Sequence, residues 1–252
     1  MNSSIDDKQL LYFSKHILLP KFGIEGQEKL LSSEITIFGL GGIGALLSIY
    51  SATSGIKKIN LVDFDKVEIS NLQRQITYSE IDVGLYKTDA TKSMISRYSK
   101  STEINTFNKK VATEEDVSKI ISNSSVVLDG TDNFESRKLI NSSCVKNKKK
   151  LIIGAVEGFH GQIFTYLPGK NNPCYSCIYR QLLDNDNSCS DSGVMAPLVG
   201  TISSFMAIEC IKVIVGLDPS YFKKLFIIDG LASTFRHLTI NKDPGCHCTK
   251  LT

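Results

Sequence analysis

The stretch ITIFGLGGIGALLSIYS at 35–51 constrains this chain more than any other. A β-branched apolar run ends in glycines, and a helical pattern begins directly after them. Gly39, Gly41 and Gly44 fit the spacing G-x-G-x-x-G between a strand and a helix. The first glycine permits a tight turn and the second lets a phosphate approach the backbone. The third lets the helix pack on the strand, with its N-terminus toward the anion. Asp63 ends the next apolar run, where a carboxylate suits ribose hydroxyls. These features predict a nucleotide-binding unit, and NAD and ATP fit it equally well.

Strand and helix patterns alternate through EITIFG, GIGALLSIYSATSG, KKINLVDFD, KTDATKSMISRYSK, EINTFNKKV, TEEDVSKIISN, SVVLDG, NFESRKLINSSCVKN and KLIIGAV. The alternation predicts an α/β fold, a Rossmann-like doubly wound sheet that is parallel in its first half. Two short helices are expected before it, over 6–31. After Gly158 the pattern changes. HGQIFTYLP alternates and reads as antiparallel. A cysteine-bearing loop, a long helix over 197–216 and the strands KLFIIDG and TFRHLTIN follow. The basic run KNKKK at 146–150 reads as a cap on a helix end. No linker or repeat divides the chain, so 1–252 is expected to form one domain.

A formal charge of +3 over 252 residues is too weak to imply nucleic-acid binding. The N-terminus lacks the basic start and apolar run of a secretory signal. No window reaches the ~18 uninterrupted apolar residues of a membrane helix, because 194–216 carries Glu209 and Lys212. The expectation is a soluble cytoplasmic protein with no nucleic-acid or membrane partner. In that setting seven cysteines point to metal or thiol chemistry.

The choice of nucleotide turns on ISNLQRQ, LYK and GTDN. Hydride transfer needs a nicotinamide pocket and usually a substrate domain, and the stretch after KLIIGAV is short for one. Phosphate chemistry needs cations against spreading negative charge and a carboxylate for Mg²⁺. Arg74, Lys87 and Asp132 supply that set. Cys174 and Cys177 form C-x-x-C, and Cys246 and Cys248 form C-x-C around His247. Two close pairs suit a tetrahedral Zn²⁺ site, with Cys246 and Cys248 or Cys246 and His247 as the second pair. Cys144 and Cys210 lie in helical apolar patterns and read as core. Cys189 lies in a polar segment, where a thiol is either incidental or reactive.

The order GLGGIG, LVDFD, SNLQRQ, GTDN, CYSC, GVMAP, PGCHC resembles the ThiF/MoeB/HesA adenylyltransferases, bacterial relatives of ubiquitin-activating enzymes. The resemblance runs from about Tyr12 to Cys248. It implies ATP as the nucleotide and a ubiquitin-like sulfur carrier with a C-terminal Gly-Gly as partner, in thiamin or molybdopterin biosynthesis. It further implies that Gly42, Asp63, Asp65, Ser70, Asn71, Leu72, Gln73, Arg74, Lys87, Asp132 and Asn133 contact ATP or Mg²⁺. Cys174, Cys177, Cys246 and Cys248 would hold zinc, in a small zinc-tied C-terminal part. Cys189 falls where such enzymes carry a cysteine associated with later thiolation of the carrier. The implied organisation is N-terminal helices at 6–31, a nucleotide-binding half at 33–157 and a carrier- and zinc-binding half at 158–252.

Two departures stand out. The family pattern R-Y-x-R-Q appears here as YFSKH, which puts Lys15 where an arginine reaches across a homodimer to ATP. The charge is kept and the planar donor fork is lost. The tail pair is C-x-C where the family has C-x-x-C. The Lys15 departure leaves room for activation of a different peptide or small carboxylate, and a family member that binds carriers but turns over slowly is a second alternative.

Overall fold

The computed structural model describes residues 5–182 and 193–246. Cys189, His247 and Cys248 lie outside the described residues. Helices α1 (Asp7–Tyr12), α2 (Ser14–Ile17) and α3 (Gly23–Leu31) open the chain. A capping box starts α1. The Asp6 carboxylate accepts from the Gln9 backbone at 2.8 Å, and the Gln9 side chain accepts from Asp6 N at 3.1 Å. The single helix expected over the first stretch breaks at Phe13, whose ring is buried against the turn at Gly55.

The alternation then appears as predicted. The elements are β1 (Glu34–Phe38), α4 (Gly42–Thr53), β2 (Lys58–Val62), α5 (Lys87–Tyr98), β3 (Glu103–Phe107), α6 (Glu114–Ile121), β4 (Val126–Asp129), α7 (Phe134–Lys146) and β5 (Lys150–Glu157). They are followed by β6 (His160–Tyr166), α8 (Tyr175–Leu182), α9 (Ala196–Val215), β7 (Lys224–Asp229) and β8 (Thr234–Thr239). The strand order is β3-β2-β1-β4-β5-β6-β7-β8. The first five strands are parallel, and β6, β7 and β8 join antiparallel. This is the Rossmann-like sheet with an antiparallel continuation that the sequence implies.

Side chains alternate across the sheet and build two cores. Ile37, Leu128, Ile152 and Ile163 face α3, α4 and α9. Phe38, Val127, Ile153 and Phe164 face α6, α7 and α8. Because both faces are covered, the parallel strands read as continuous apolar runs. The segment taken for a cysteine-bearing loop contains α8. Its buried Tyr175 and Ile178 dock on α7, and the Asn141 side chain accepts from the Tyr175 backbone N–H at 2.9 Å. α6 is equally short but starts from its own Thr113 cap, whereas the start of α8 is capped by a side chain of another helix and leaves no local signal.

The basic run does cap helix ends, those of its neighbours in space. Lys149 Nζ donates to the Ser124 carbonyl at 3.2 Å, beyond the end of α6. Lys150 Nζ donates to the Val213 carbonyl at 3.3 Å in the last turn of α9. By length and composition α9 could cross a membrane, yet 56% of its apolar window is buried inside the fold. Its Glu209 is also buried. Oε1 accepts from Thr165 Oγ1 and from Tyr221 N, each at 2.9 Å, and Oε2 accepts from Ser220 N at 3.0 Å. This carboxylate fastens the loop before β7 to the core helix. Glu209→Ala would strand three donors and should cost about 3 kcal/mol, read as a lower urea midpoint. An unchanged midpoint would show that the network contributes nothing.

Candidate active site

The strand order reverses between β1 and β4, and the loops leaving their C-terminal ends diverge there. A cavity of about 1420 Å³ opens at that edge. Its walls bring together Gly39, Gly41, Gly42, Asp63, Asp65, Gln73, Arg74, Lys87, Asp132 and Asn133. Gly44 lies just beneath. A Cβ on Gly44 would fall 1.8 Å from the Gly39 carbonyl oxygen, so α4 can start only against a glycine. Gly39 itself has φ +78°, and a Cβ there would meet the Thr131 backbone nitrogen at 2.8 Å. Ser70, Asn71 and Leu72 do not line the cavity. They form the turn behind it, and Arg74 Nη1 donates to the Ser70 carbonyl at 3.2 Å. Lys15 is exposed on α2, away from this chain's own cavity.

The acidic groups here hold the backbone as much as they face the cavity. Asp63 Oδ2 accepts from Leu40 N at 2.6 Å, and Oδ1 accepts from Asp65 N at 2.8 Å. The carboxylate therefore clamps the glycine turn to the end of β2. Burial raises its pKa, while those two backbone N–H groups and the Lys87 charge pull it down. Lys87 Nζ meets Asp65 Oδ2 at 2.9 Å, and its side chain is nearly buried at the start of α5. The buried Tyr78 hydroxyl donates to the Leu40 carbonyl at 2.8 Å and pairs with Thr91 Oγ1 at 2.8 Å, tying the turn to α5. Asn133 Oδ1 caps α7 by accepting from Ser136 N at 2.9 Å, and Asp132 beside it is exposed to the cavity. Arg137 donates from Nε to the Thr131 carbonyl at 3.0 Å and holds that loop closed.

Several wall residues carry no local sequence signal. Lys109 and Lys110 follow β3, and Lys110 Nζ stands 5.8 Å from the centroid of the Phe64 ring. Glu157, His160 and Gln162 come from the β5–β6 hairpin on the opposite wall. The lysines could have been found by asking which residues leave β3 at the ligand edge of the sheet. The hairpin residues depend on the antiparallel register, which no periodicity specifies. The cavity is thus cationic on its nucleotide-turn side and carries Glu157 and His160 on the other.

Cys174, Cys177 and Cys246 meet in a second buried cluster beside α7, with Cys177 on the first turn of α8. Their sulfur atoms lie within 4.8 Å of one another, and Cys174 and Cys246 Sγ are 3.8 Å apart across 72 positions of chain. Metal–sulfur bonds of ~2.3 Å in a tetrahedral site give sulfur–sulfur edges of about 3.8 Å. The donor set and spacing therefore fit a thiolate-bound metal such as zinc. Cys144 and Cys210 are buried in the two cores, and burial pushes both thiols up, Cys210 to about 12. That matches their reading as packing residues.

The cavity at the switch point, the glycine turn beneath it and the cysteine cluster define an α/β domain with a ligand-sized site at its switch point and Cys246 brought to the Cys174–Cys177 pair. The ThiF family model matches residues 13–248, and the chain belongs to this family. It is 35% identical over 246 residues to the molybdopterin-synthase adenylyltransferase of Escherichia coli (strain K12), covering 97% of this chain and 98% of that one. It is 32% identical over 243 residues to the sulfur carrier protein ThiS adenylyltransferase of the same organism, covering 96% of each. The crystal structure of E. coli MccB with ATP superposes with a TM-score of 0.79, covering 97% of this chain and 82% of that one. At 22% identity this shows a shared fold.

Beneath the cavity Asp129 is fully buried. Its Oδ1 accepts from Thr131 N at 2.9 Å and Thr131 Oγ1 at 2.7 Å, and its Oδ2 has no partner among the described residues. Burial raises this carboxyl's pKa, against the Arg137 charge and the Thr131 hydrogen bonds. The folded chain therefore keeps a proton that the unfolded chain has already released. The associated stability is complete below the ordinary carboxyl value of about 3.9 and is lost as pH rises through the folded value. Asp129→Asn has no charge to bury. Its stability relative to the parent should improve as pH rises from about 4 to about 7, measured by urea unfolding across the range. A difference that stays constant with pH would show that Asp129 titrates alike in both states.

Proposed function

We propose that this chain adenylates the C-terminal glycine of a ubiquitin-like sulfur carrier, with ATP as donor and pyrophosphate as product. The observation that carries the reading is the joining of a glycine turn, Arg74, Lys87 and Asp132 around one cavity. NAD chemistry would not need two cations and a free-facing carboxylate at that edge. The names of the E. coli relatives support the same reaction class and leave the molybdopterin and thiamin carriers both open as partners.

In this reading the carrier's carboxylate oxygen attacks the α-phosphorus, and the bond to the bridging α–β oxygen breaks. A carboxylate needs no general base, so the site requires none. Two anions must approach each other, and the cost is mainly electrostatic and orientational. Arg74 and Lys87 offset charge on the phosphates. Asp65 holds Lys87 in position beforehand. Asp63 keeps the turn closed and has lone pairs left for ribose hydroxyls. Asp132 would hold Mg²⁺, which supplies charge neutralisation on the phosphates. The carrier tail would enter along the β5–β6 wall, where diglycine passes because it has no side chains. The thiolate cluster, completed by Cys248, would hold zinc as a structural tie. Cys189 would serve later sulfur transfer to the carrier.

ATP–pyrophosphate exchange should appear only with a carrier that ends in a free Gly-Gly. Exchange without carrier, or none with any carrier, overturns the reading. Arg74→Ala and Asp132→Ala should each lower the exchange rate by on the order of 10² or more, the scale of one lost charge stabiliser.

Lys15 is read as acting across a homodimer. It lies among exposed Leu11, Tyr12 and Leu18, 78%, 58% and 75% accessible, an apolar surface suited to a second copy. Lys15→Ala should then lower turnover more than ATP affinity, and Lys15→Arg should retain activity. Mixing Lys15→Ala chains with Arg74→Ala chains should restore part of the turnover, because one site in each mixed dimer regains both cations. No recovery after verified subunit exchange would show that Lys15 does not act in the partner's site.

A further inference from the structure

Asn141 lies in the third turn of α7, is fully buried, and does not line the nucleotide cavity. Its amide makes three contacts, all to the segment that carries the first cysteine pair. Oδ1 accepts from Tyr175 N at 2.9 Å, and Nδ2 donates to Ser176 Oγ at 3.0 Å and lies 3.5 Å from Cys174 Sγ. The orientation is fixed by this network. Only the oxygen can accept from the Tyr175 backbone N–H, so the NH₂ group must face the hydroxyl and the sulfur.

We infer that Asn141 is the outer-shell residue of the thiolate metal site, donating an N–H to Cys174 sulfur and fixing the direction of its lone pairs. The inference rests on the reading of Cys174, Cys177 and Cys246 as metal ligands. A thiolate carries more negative charge than a thiol, so a buried amide proton aimed at it lowers the cost of keeping that charge in the core. The same side chain starts α8 by accepting from Tyr175 N, so ligand direction and helix start are set by one residue. Its backbone belongs to α7, whose first turn supplies Ser136 and Arg137 to the cavity wall. Asn141 therefore joins the metal segment to the helix that begins at the active site. Starting α8 and bonding Ser176 would by themselves fix the amide's orientation, so a donor to the metal-bound sulfur is told apart by metal affinity and by the charge-transfer band.

The test uses the full chain. The parent, Asn141→Ser and Asn141→Asp are loaded with Zn²⁺ and titrated with a competing chelator. The same proteins are then loaded with Co²⁺ and their thiolate-to-metal charge-transfer bands recorded. Asn141→Ser should lower metal affinity by about 10-fold to 100-fold, the scale of lost outer-shell partners, and shift the band. Asn141→Asp, which sets a carboxylate against sulfur, should lower affinity at least as far. Ser176→Ala leaves the donor to sulfur in place and should stay near the parent. Equal affinity and an unmoved band in both Asn141 variants would overturn the inference. A parent that binds no Zn²⁺ or Co²⁺ would instead overturn the metal reading beneath it. If the variants do not fold, the parent loaded with ¹¹³Cd decides. An Asn141 side-chain amide proton should correlate with cadmium, and cysteine correlations without that one would overturn the assignment.

Discussion

The structure depends on a backbone contact that no side chain may enter. At the ends of β1 and β4 the Gly39 carbonyl, the first turn of α4 at Gly44 and the Gly130–Thr131 backbone meet with no room for a Cβ between them. That closeness lets α4 start directly above β1, with its N-terminus at the cavity. It also draws the β4 loop against the glycine turn, so that Asp132 shares a cavity with residues of the turn. Asp63 and Tyr78 then hold the turn from the other side, through Leu40 N and the Leu40 carbonyl respectively. The geometry of the cavity edge is thus set mostly by main chain, and the charged side chains are mounted on it.

The charges follow the same economy. Lys87 is already paired with Asp65, and Arg74 is already bonded to its own turn, so in the proposed reaction neither would have to be ordered from a free state to meet phosphate. Fixed cations with little freedom left to lose favour a charged transition state more than flexible ones would. The antiparallel half provides the second wall, with Glu157 and His160 on a hairpin. Behind it, α7 spans from the cavity to the cysteine cluster, so the two chemically distinct regions share one rigid element.

The parallel half was legible because its signals are local. Strand β1, the glycines and α4 are contiguous in sequence, and Asp63 follows at the end of the next strand. The antiparallel continuation was legible from the period of HGQIFTYLP. Three things were not. Helix α8 is started by Asn141 of another helix, so its beginning is not written in its own residues. Lys149 and Lys150 cap α6 and α9, which touch them only after the sheet has assembled. Lys109, Lys110, Glu157 and His160 reach the cavity through strand order and register, quantities that a local reading does not contain. The cysteine pairs were visible as pairs, and the meeting of Cys246 with Cys174 across 72 positions followed from chemistry rather than from pattern.

The central claim is that this edge of the sheet transfers an adenylyl group to a carboxylate. It is tested most directly by the intact mass of the acceptor. A carrier ending in Gly-Gly, incubated with the chain, ATP and Mg²⁺, should gain the mass of one adenylyl group on its C-terminal glycine. Added pyrophosphate should return it to its starting mass. A carrier whose mass never changes, while the chain is folded and binds ATP, would contradict the account.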